Sequence, residues 1–200
     1  MPFRRRSAEP TGPPTPIVDL GAVSAAWRPA VAQALDARDR FERIASRVPA
    51  GPLRQRLDDL GARIDSGVAA AHGLAQRAAA HEATLADLRP DAVTARVKDA
   101  RRAVSTAEAA GRDATVERAT LDALLAQHAA TMRVWDAVDD TRDRLAVVNQ
   151  RLEEAVVHAA AVSTGGTIDD PALARVEADL ASAGDELAAL GRALDSLGDR

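Results

Sequence analysis

Apolar residues recur at alternating spacings of three and four positions along most of this chain, a pattern typical of amphipathic helices that pack against one another. One such seam runs through residues 53–88, and another continues at the same spacing through residues 93–125. The first seam consists of Leu53, Leu57, Leu60, Ile64, Gly67, Ala71, Leu74, Ala78, His81, Leu85 and Leu88. Half-buried strands would alternate with a period of two, so the pattern predicts an all-α fold.

Proline and glycine divide the chain into four predicted helices. Breaks fall at residues 49–52, at Pro90 and at Gly165-Gly166, and Pro171 suits the first turn of a new helix. The predicted helices span residues 28–48, 53–88, 91–163 and 171–198. No proline interrupts the third helix, in which a kink is expected at Gly111.

The seams of the second and third helices pair if the chain turns back at Pro90. Leu74 then faces Val104, and Leu53 faces Leu125. In the same register Gly67 faces Gly111, which brings small residues together where the two backbones come closest. The spacing therefore predicts an antiparallel helical hairpin.

A second antiparallel pairing joins the C-terminal half of the third helix to the fourth helix. In this pairing Leu145 faces Leu190, and Leu152 faces Ala183. The wide apolar stripe of the long helix requires a further partner, for which we predict residues 28–48. Two arrangements stay open: this helix packs near Trp135, or it folds back on the second helix.

Together these patterns predict an elongated antiparallel helical hairpin joined through one long helix to a three-helix bundle. The hairpin arm takes residues 53–125, and the bundle takes residues 28–48 and 130–198. Both belong to a single elongated helical domain of residues 17–200. Residues 1–16 are rich in proline and arginine and are predicted to form a disordered basic tail.

The composition narrows the range of folds and chemistries. Alanine is the most frequent residue, and the chain holds four aromatic residues, Phe3, Trp27, Phe41 and Trp135. This inventory argues against a β-sandwich or an α/β core. The absence of cysteine excludes disulfides, thiolate metal sites and cysteine nucleophiles. The net charge of −4 argues against nucleic-acid partners, and the absence of an apolar signal sequence leads us to expect a cytoplasmic protein.

Candidate catalytic chemistry is absent from the sequence. No two histidines lie at the spacing of a metal site, and no phosphate-binding loop or nucleophile elbow is found. In one segment, carboxylates at helical spacing are interleaved with two arginines and are interpreted as a solvated helix face, as are Glu153 and Glu154. That face consists of Asp136, Asp139, Asp140 and Asp143 with Arg142 and Arg144. We therefore expect no cofactor, no metal and no enzymatic activity.

Two groups of basic residues are candidate contacts for phosphate or an anionic membrane surface. The first group, near the predicted hairpin tip, consists of Arg96, Lys98, Arg101 and Arg102. The second group, in the tail, consists of Arg4, Arg5 and Arg6. The competing interpretation is that these residues provide solubility and pair with neighbouring acids.

The leading functional hypothesis is a non-enzymatic coiled-coil protein that acts as a spacer, adaptor or assembly subunit through protein partners. Self-association is expected to cover the remaining apolar edge at Val68 and Val116. The alternative is a peripheral membrane protein of envelope stress or remodelling, which would use the arginine-rich N-terminus. The long hairpin is similar in architecture to membrane-remodelling proteins of the phage-shock and ESCRT-III type, although residues 17–27 are short and contain Asp19, where those proteins carry an amphipathic helix.

Overall fold

The computed structural model describes residues 18–165 and 171–198, and its regular structure is helical throughout these residues. A short 3-10 turn, Leu20–Ala22, precedes five α-helices. The helices are α1 (Arg28–Ala45), α2 (Pro52–Leu88), α3 (Pro90–Ala109), α4 (Thr115–Ser163) and α5 (Pro171–Gly198). The predicted all-α fold is confirmed. The predicted tail of residues 1–16, with Arg4, Arg5 and Arg6, lies outside the described residues.

Four helices form a bundle: α1, α2, α5 and the C-terminal part of α4. Helices α2 and α5 run parallel, because Arg56 Nε donates to Glu177 Oε1 at 2.9 Å near the beginning of both, and Arg77 Nε lies 3.8 Å from Asp195 Oδ1 near their ends. The sequence predicted a three-helix bundle, which is wrong because α2 belongs to the bundle along its whole length.

Helix α2 does not form the predicted hairpin with the helix that follows it. The large apolar residues of its seam from Leu57 to Leu85 are buried, whereas Leu88 is 42% exposed, and the helix packs on α1, α4 and α5 and touches α3 only slightly. The physical reason lies in the link, since only Arg89 separates α2 from α3. Antiparallel helices need about two to five linking residues to reverse direction. The predicted pairing of Leu74 with Val104 is therefore wrong.

The chain reverses direction further on, between α3 and α4. Gly111 adopts a left-handed conformation with a φ of 64°, which favours glycine, and Asp113 Oδ1 accepts a 3.0 Å hydrogen bond from the backbone N–H of Thr115 at the start of α4. The predicted continuous helix of residues 91–163 is therefore two helices. Helix α3 packs against the first part of α4, and together they form a two-helix arm of residues 90–134, called the arm below.

Helices α4 and α5 pack antiparallel, as predicted. Arg144 Nη1 lies 3.1 Å from Glu186 Oε2. About two helical turns further along α4, Arg151 Nη1 donates to the carbonyl oxygen of Asp179 at 3.1 Å. The residue numbers of the partners on α5 thus decrease as the residue numbers on α4 increase, as antiparallel packing requires. Of the seam residues named for this pair, Leu145, Leu152 and Ala183 are buried and Leu190 is partly buried.

Helix α1 folds back on α2, the second of the two open arrangements, and packs on α4 at residues 142–153 and not at Trp135. At the contact with α2, a Cβ at Gly61 would lie 3.3 Å from Phe41 Cε1. Helix α1 packs parallel to α4, where Asn149 Nδ2 donates to the carbonyl oxygen of Ala30 at 3.0 Å. Helix α1 therefore fills the groove between α2 and α4, and its first turn brings Trp27 to the end of the bundle nearest the arm.

Candidate interaction surfaces

The arm is held together by a small apolar cluster. Val97 and Ala100 of α3 pack with Leu124 of α4, and Leu121 and Leu125 border this contact. These side chains form a single seam between two helices, so every other face of the arm is open to solvent. The arm therefore presents surface to a partner without needing to complete the bundle core.

The four basic residues predicted near a hairpin tip lie along the middle of α3, because the tip is formed by Gly111 and its neighbours. All four are exposed. Arg96 lines a groove toward α4, whereas the helical period places Lys98 and Arg102 on the side of α3 away from α4. Arg102 forms an ion pair with Asp99. The structure thus separates Arg96 from Lys98, Arg101 and Arg102, which lie three and four positions apart on one exposed side of α3.

A second apolar seam on α4 faces solvent along the arm. Its residues follow the three–four spacing and are all exposed, and no charged residue falls among them. This seam, called the α4 stripe below, consists of Val116, Ala119, Ala123, Ala126 and Ala130. Val116 is 75% exposed, and much of the stripe lines a groove of about 550 Å³ whose far wall includes Arg96. Sequence reasoning noted Val116 as an apolar edge but missed the stripe, although its spacing is visible in the sequence.

The other apolar edge expected from the sequence, Val68, is fully buried in the bundle. Helices α1, α4 and α5 cover the faces of α2 that a lone hairpin would have exposed. The predicted role of Val68 in self-association is therefore wrong.

Polar contacts fix the tip of the arm. Asp113 Oδ1 accepts hydrogen bonds from the hydroxyl and the backbone N–H of Thr115 at 2.6 and 3.0 Å, which lower the pKa of Asp113. Arg118 on α4 donates to Glu108 on α3 at 2.7 and 3.1 Å, and these bonds raise the pKa of Arg118. The reversal between α3 and α4 therefore has a defined geometry.

A polar cluster closes the end of the bundle where the arm begins. Trp27 Nε1 donates to Glu82 Oε2 at 2.7 Å, and Arg142 forms an ion pair with the same carboxylate. The Arg142 guanidinium lies 5.0 Å from the centre of the Trp27 ring, a cation–π contact. The sequence pattern places Arg142 on a solvated helix face and does not reveal this cluster, because Trp27, Glu82 and Arg142 come from three separate segments.

The described residues offer little catalytic chemistry. Nε2 of His72 lies 3.3 Å from the carbonyl oxygen of Asp19, and Nε2 of His81 lies 3.1 Å from that of Leu194, so both rings contact the backbone. Burial raises the pKa of Asp65, whose nearest cation is Arg38 at 4.0 Å. Within residues 18–165 and 171–198, no group of three or more histidines and carboxylates is placed to hold a metal ion.

No family model matches this chain, and searches of curated proteins and of solved structures returned no match. Across the part of the chain that the structure describes, no helix combines the length and the apolar content that crossing a bilayer requires. The function of this protein is therefore inferred from the surfaces described above.

Proposed function

We propose that this protein is a non-enzymatic assembly subunit whose arm pairs with the arm of a second copy through the α4 stripe. The observation that carries the proposal is the exposed, uncharged heptad seam on a helix whose opposite seam is already used by α3. Surface helices normally place charged residues on the face that they leave to solvent. An uncharged seam on that face favours contact with another helix.

The stripe suits an antiparallel pair of α4 helices. When two copies cross at Ala123, Val116 of one copy faces Ala130 of the other, and Ala119 falls beside Ala126 of the partner. Such an interface uses the same residues on both sides, as two-fold symmetric dimers do. The alanines let the two helix backbones approach closely, and the two Val116 side chains fill the ends of the seam.

Apolar burial supports a second copy over a charged partner. The stripe runs over about 21 Å of helix at 1.5 Å per residue, and no charged residue falls on it to steer a charged surface. Association of two such arms makes a local four-helix arrangement, in which each arm gains the neighbours that α3 alone does not supply. The bundle has its own core, so assembly is not needed for the chain to fold.

Sedimentation velocity across the micromolar range tests this proposal. The wild-type chain is expected to sediment as a dimer that dissociates on dilution. Val116→Glu or Ala123→Glu should yield a monomer, because a carboxylate buried in the interface without a partner costs about 3 kcal/mol or more. Val157→Glu is the matched control, because Val157 is a 64% exposed valine of the same helix outside the stripe. A wild-type monomer throughout the range, or loss of the dimer in the control alone, would refute the proposal.

The alternative, a peripheral membrane protein, has less support. It rests on a long hairpin, which α2 and α3 do not form, and on the arginine-rich N-terminus, which lies outside the described residues. Exposed Lys98 and Arg101 nevertheless lie outside any ion pair among the described residues. Co-sedimentation with anionic vesicles, with the chain and its Lys98→Glu/Arg101→Glu variant, tests this alternative. The cytoplasmic location expected from the sequence stays a proposal, which imaging of a fluorescent fusion tests.

A further inference from the structure

The groove between α2 and α4 continues beyond the end of α1. Helix α1 fills this groove as far as Trp27, and toward the arm the groove opens into a cleft of about 330 Å³. The cleft is lined by Glu82, Leu85, Ala86, Pro90, Trp135, Val138 and Arg142. Trp135 is 48% exposed, which is unusual for so large an apolar side chain in a chain with few aromatic residues. This cleft is called the Trp135 cleft below.

Hydrogen bonds hold the side chains at the inner end of the Trp135 cleft in place. Glu82 accepts hydrogen bonds from Trp27 and Arg142, so the charges of Glu82 and Arg142 neutralise each other and their side chains are held in place. Beyond them the lining is apolar, with Leu85, Val138 and the ring of Trp135. The cleft therefore offers a fixed apolar site for one bulky side chain.

One exposed side of α4 next to the cleft lining is acidic and is called the acidic rim below. Asp136, Asp139 and Asp143 follow Trp135 at spacings that place them along one exposed side of the helix. Asp139 shares Arg142, whereas Asp136 and Asp143 form no ion pair with any described residue. An occupant of complementary chemistry therefore carries an apolar side chain followed by several cations.

The chain itself contains such a segment at Phe3-Arg4-Arg5-Arg6. We propose that this N-terminal segment binds the Trp135 cleft of its own chain, with Phe3 against Trp135 and the arginines along the acidic rim. Of the other aromatic residues, Trp27 and Phe41 are buried in the bundle and Trp135 forms the cleft. This inference does not depend on the pairing of the arms.

The linker is long enough to reach. Val18 packs on the bundle core, and the carbonyl of the next residue, Asp19, contacts His72 of α2. From His72 to Glu82 is about 15 Å along α2 at 1.5 Å per residue. The eleven residues between Arg6 and Val18 span about 34 Å in the extended conformation that proline-rich segments adopt. A linker of this length also gives a local concentration of about 1 mM, so a weak contact suffices for high occupancy.

Acrylamide quenching of tryptophan fluorescence in the full-length chain tests the proposal. The chain has two tryptophans and no tyrosine, and Trp27 is 1% exposed, so quenching reports mainly on Trp135. Phe3→Ala and the triple variant Arg4→Glu/Arg5→Glu/Arg6→Glu are each expected to raise the quenching constant roughly twofold, because the covering segment is released into water. In a Trp135→Phe background the same variants should change nothing.

A charge-reversal control away from the cleft separates binding from a general change in net charge. Arg43→Glu/Arg47→Glu alters exposed arginines at and just after the C-terminal end of α1 that form no ion pair with any described residue, and should leave quenching at the wild-type value. Unchanged quenching in both tail variants would overturn the proposal. Loss of the protection of Trp135 from acrylamide on about hundredfold dilution of the protein would also overturn the proposal. Such a loss would mean that the segment binds the cleft of a second copy and not that of its own chain. Protection that requires added phosphatidylglycerol vesicles would assign the arginines to a membrane surface instead.

Discussion

The bundle and the arm are built from the same alanine-rich heptads, yet they differ in how many sides of each helix are covered. In the bundle, α2 meets three other helices and buries large side chains such as Leu57, Ile64 and Leu74 completely. In the arm, α3 and α4 meet along one seam, whose buried members include Val97, Ala100 and Leu124. The difference teaches that heptad spacing sets which face of a helix is apolar, whereas the number of neighbours sets how much that face stabilises the fold.

Truncation of one leucine in each region is expected to separate the two most strongly. Leu74→Ala leaves a cavity in a closed core and should lower the free energy of unfolding by about 3–4 kcal/mol. Leu124→Ala removes a 7% exposed side chain from a seam that solvent can enter, and should cost about 1–2 kcal/mol. Urea unfolding followed by circular dichroism measures both. Equal losses would mean that the arm is packed as tightly as the bundle.

The sequence predicted the helical faces better than it predicted their partners. The seam from Leu57 to Leu85 was identified correctly, and the antiparallel packing of α4 on α5 was confirmed. The predicted pairing of positions between α2 and α3 was wrong. Spacing identifies an apolar stripe, but because several stripes in this chain share the same spacing, it does not identify which two stripes pack together. The length of the link decided the outcome, since a single residue, Arg89, cannot reverse the chain.

The candidate surfaces were predictable to different degrees. The α4 stripe is local, and its residues recur within one helix, so inspection of residues 116–130 for a second seam would have found it. The cluster of Trp27, Glu82 and Arg142 depends on α1 lying between α2 and α4. No sequence spacing encodes such a meeting of three segments, because it follows only once the bundle topology is known.

Two glycines that the sequence placed face to face now sharpen the comparison between the regions. Gly67 lies within α2, and a Cβ there would meet no atom within 4 Å, so Gly67→Ala should stabilise the bundle by about 1 kcal/mol through helix propensity. Gly111 has a φ of 64°, so Gly111→Ala should destabilise the arm by about 1 kcal/mol. Hydrogen exchange locates each effect.

The two glycine variants control for each other, since both add one methyl group. Faster exchange confined to α3 and the first turns of α4 is expected for Gly111→Ala, with bundle amides unchanged. Destabilisation by Gly67→Ala would contradict the open space beside it. Faster exchange throughout the chain in Gly111→Ala would show that the arm and the bundle unfold as one unit.

The smallest expected effects are pH-dependent and have opposite signs in the two regions. In the bundle, burial raises the pKa of Asp65, whose Oδ1 lacks a hydrogen-bond partner. The charged form is therefore penalised in the folded state, and stability falls as pH rises through the folded pKa. Asp65→Asn should raise the melting temperature at pH 7, and this gain should shrink as the pH falls to about 4.

In the arm, hydrogen bonds from Thr115 lower the pKa of Asp113, so the stability that Asp113 contributes is present above the unfolded pKa and is lost as pH falls through the folded pKa. Asp113→Asn should therefore weaken protection of the first turn of α4 at pH 7 and have no effect in strong acid. Melting curves for Asp65→Asn and hydrogen exchange for Asp113→Asn, each against the wild-type chain over the same pH series, measure the two trends, and trends of the same sign would contradict the assigned environments.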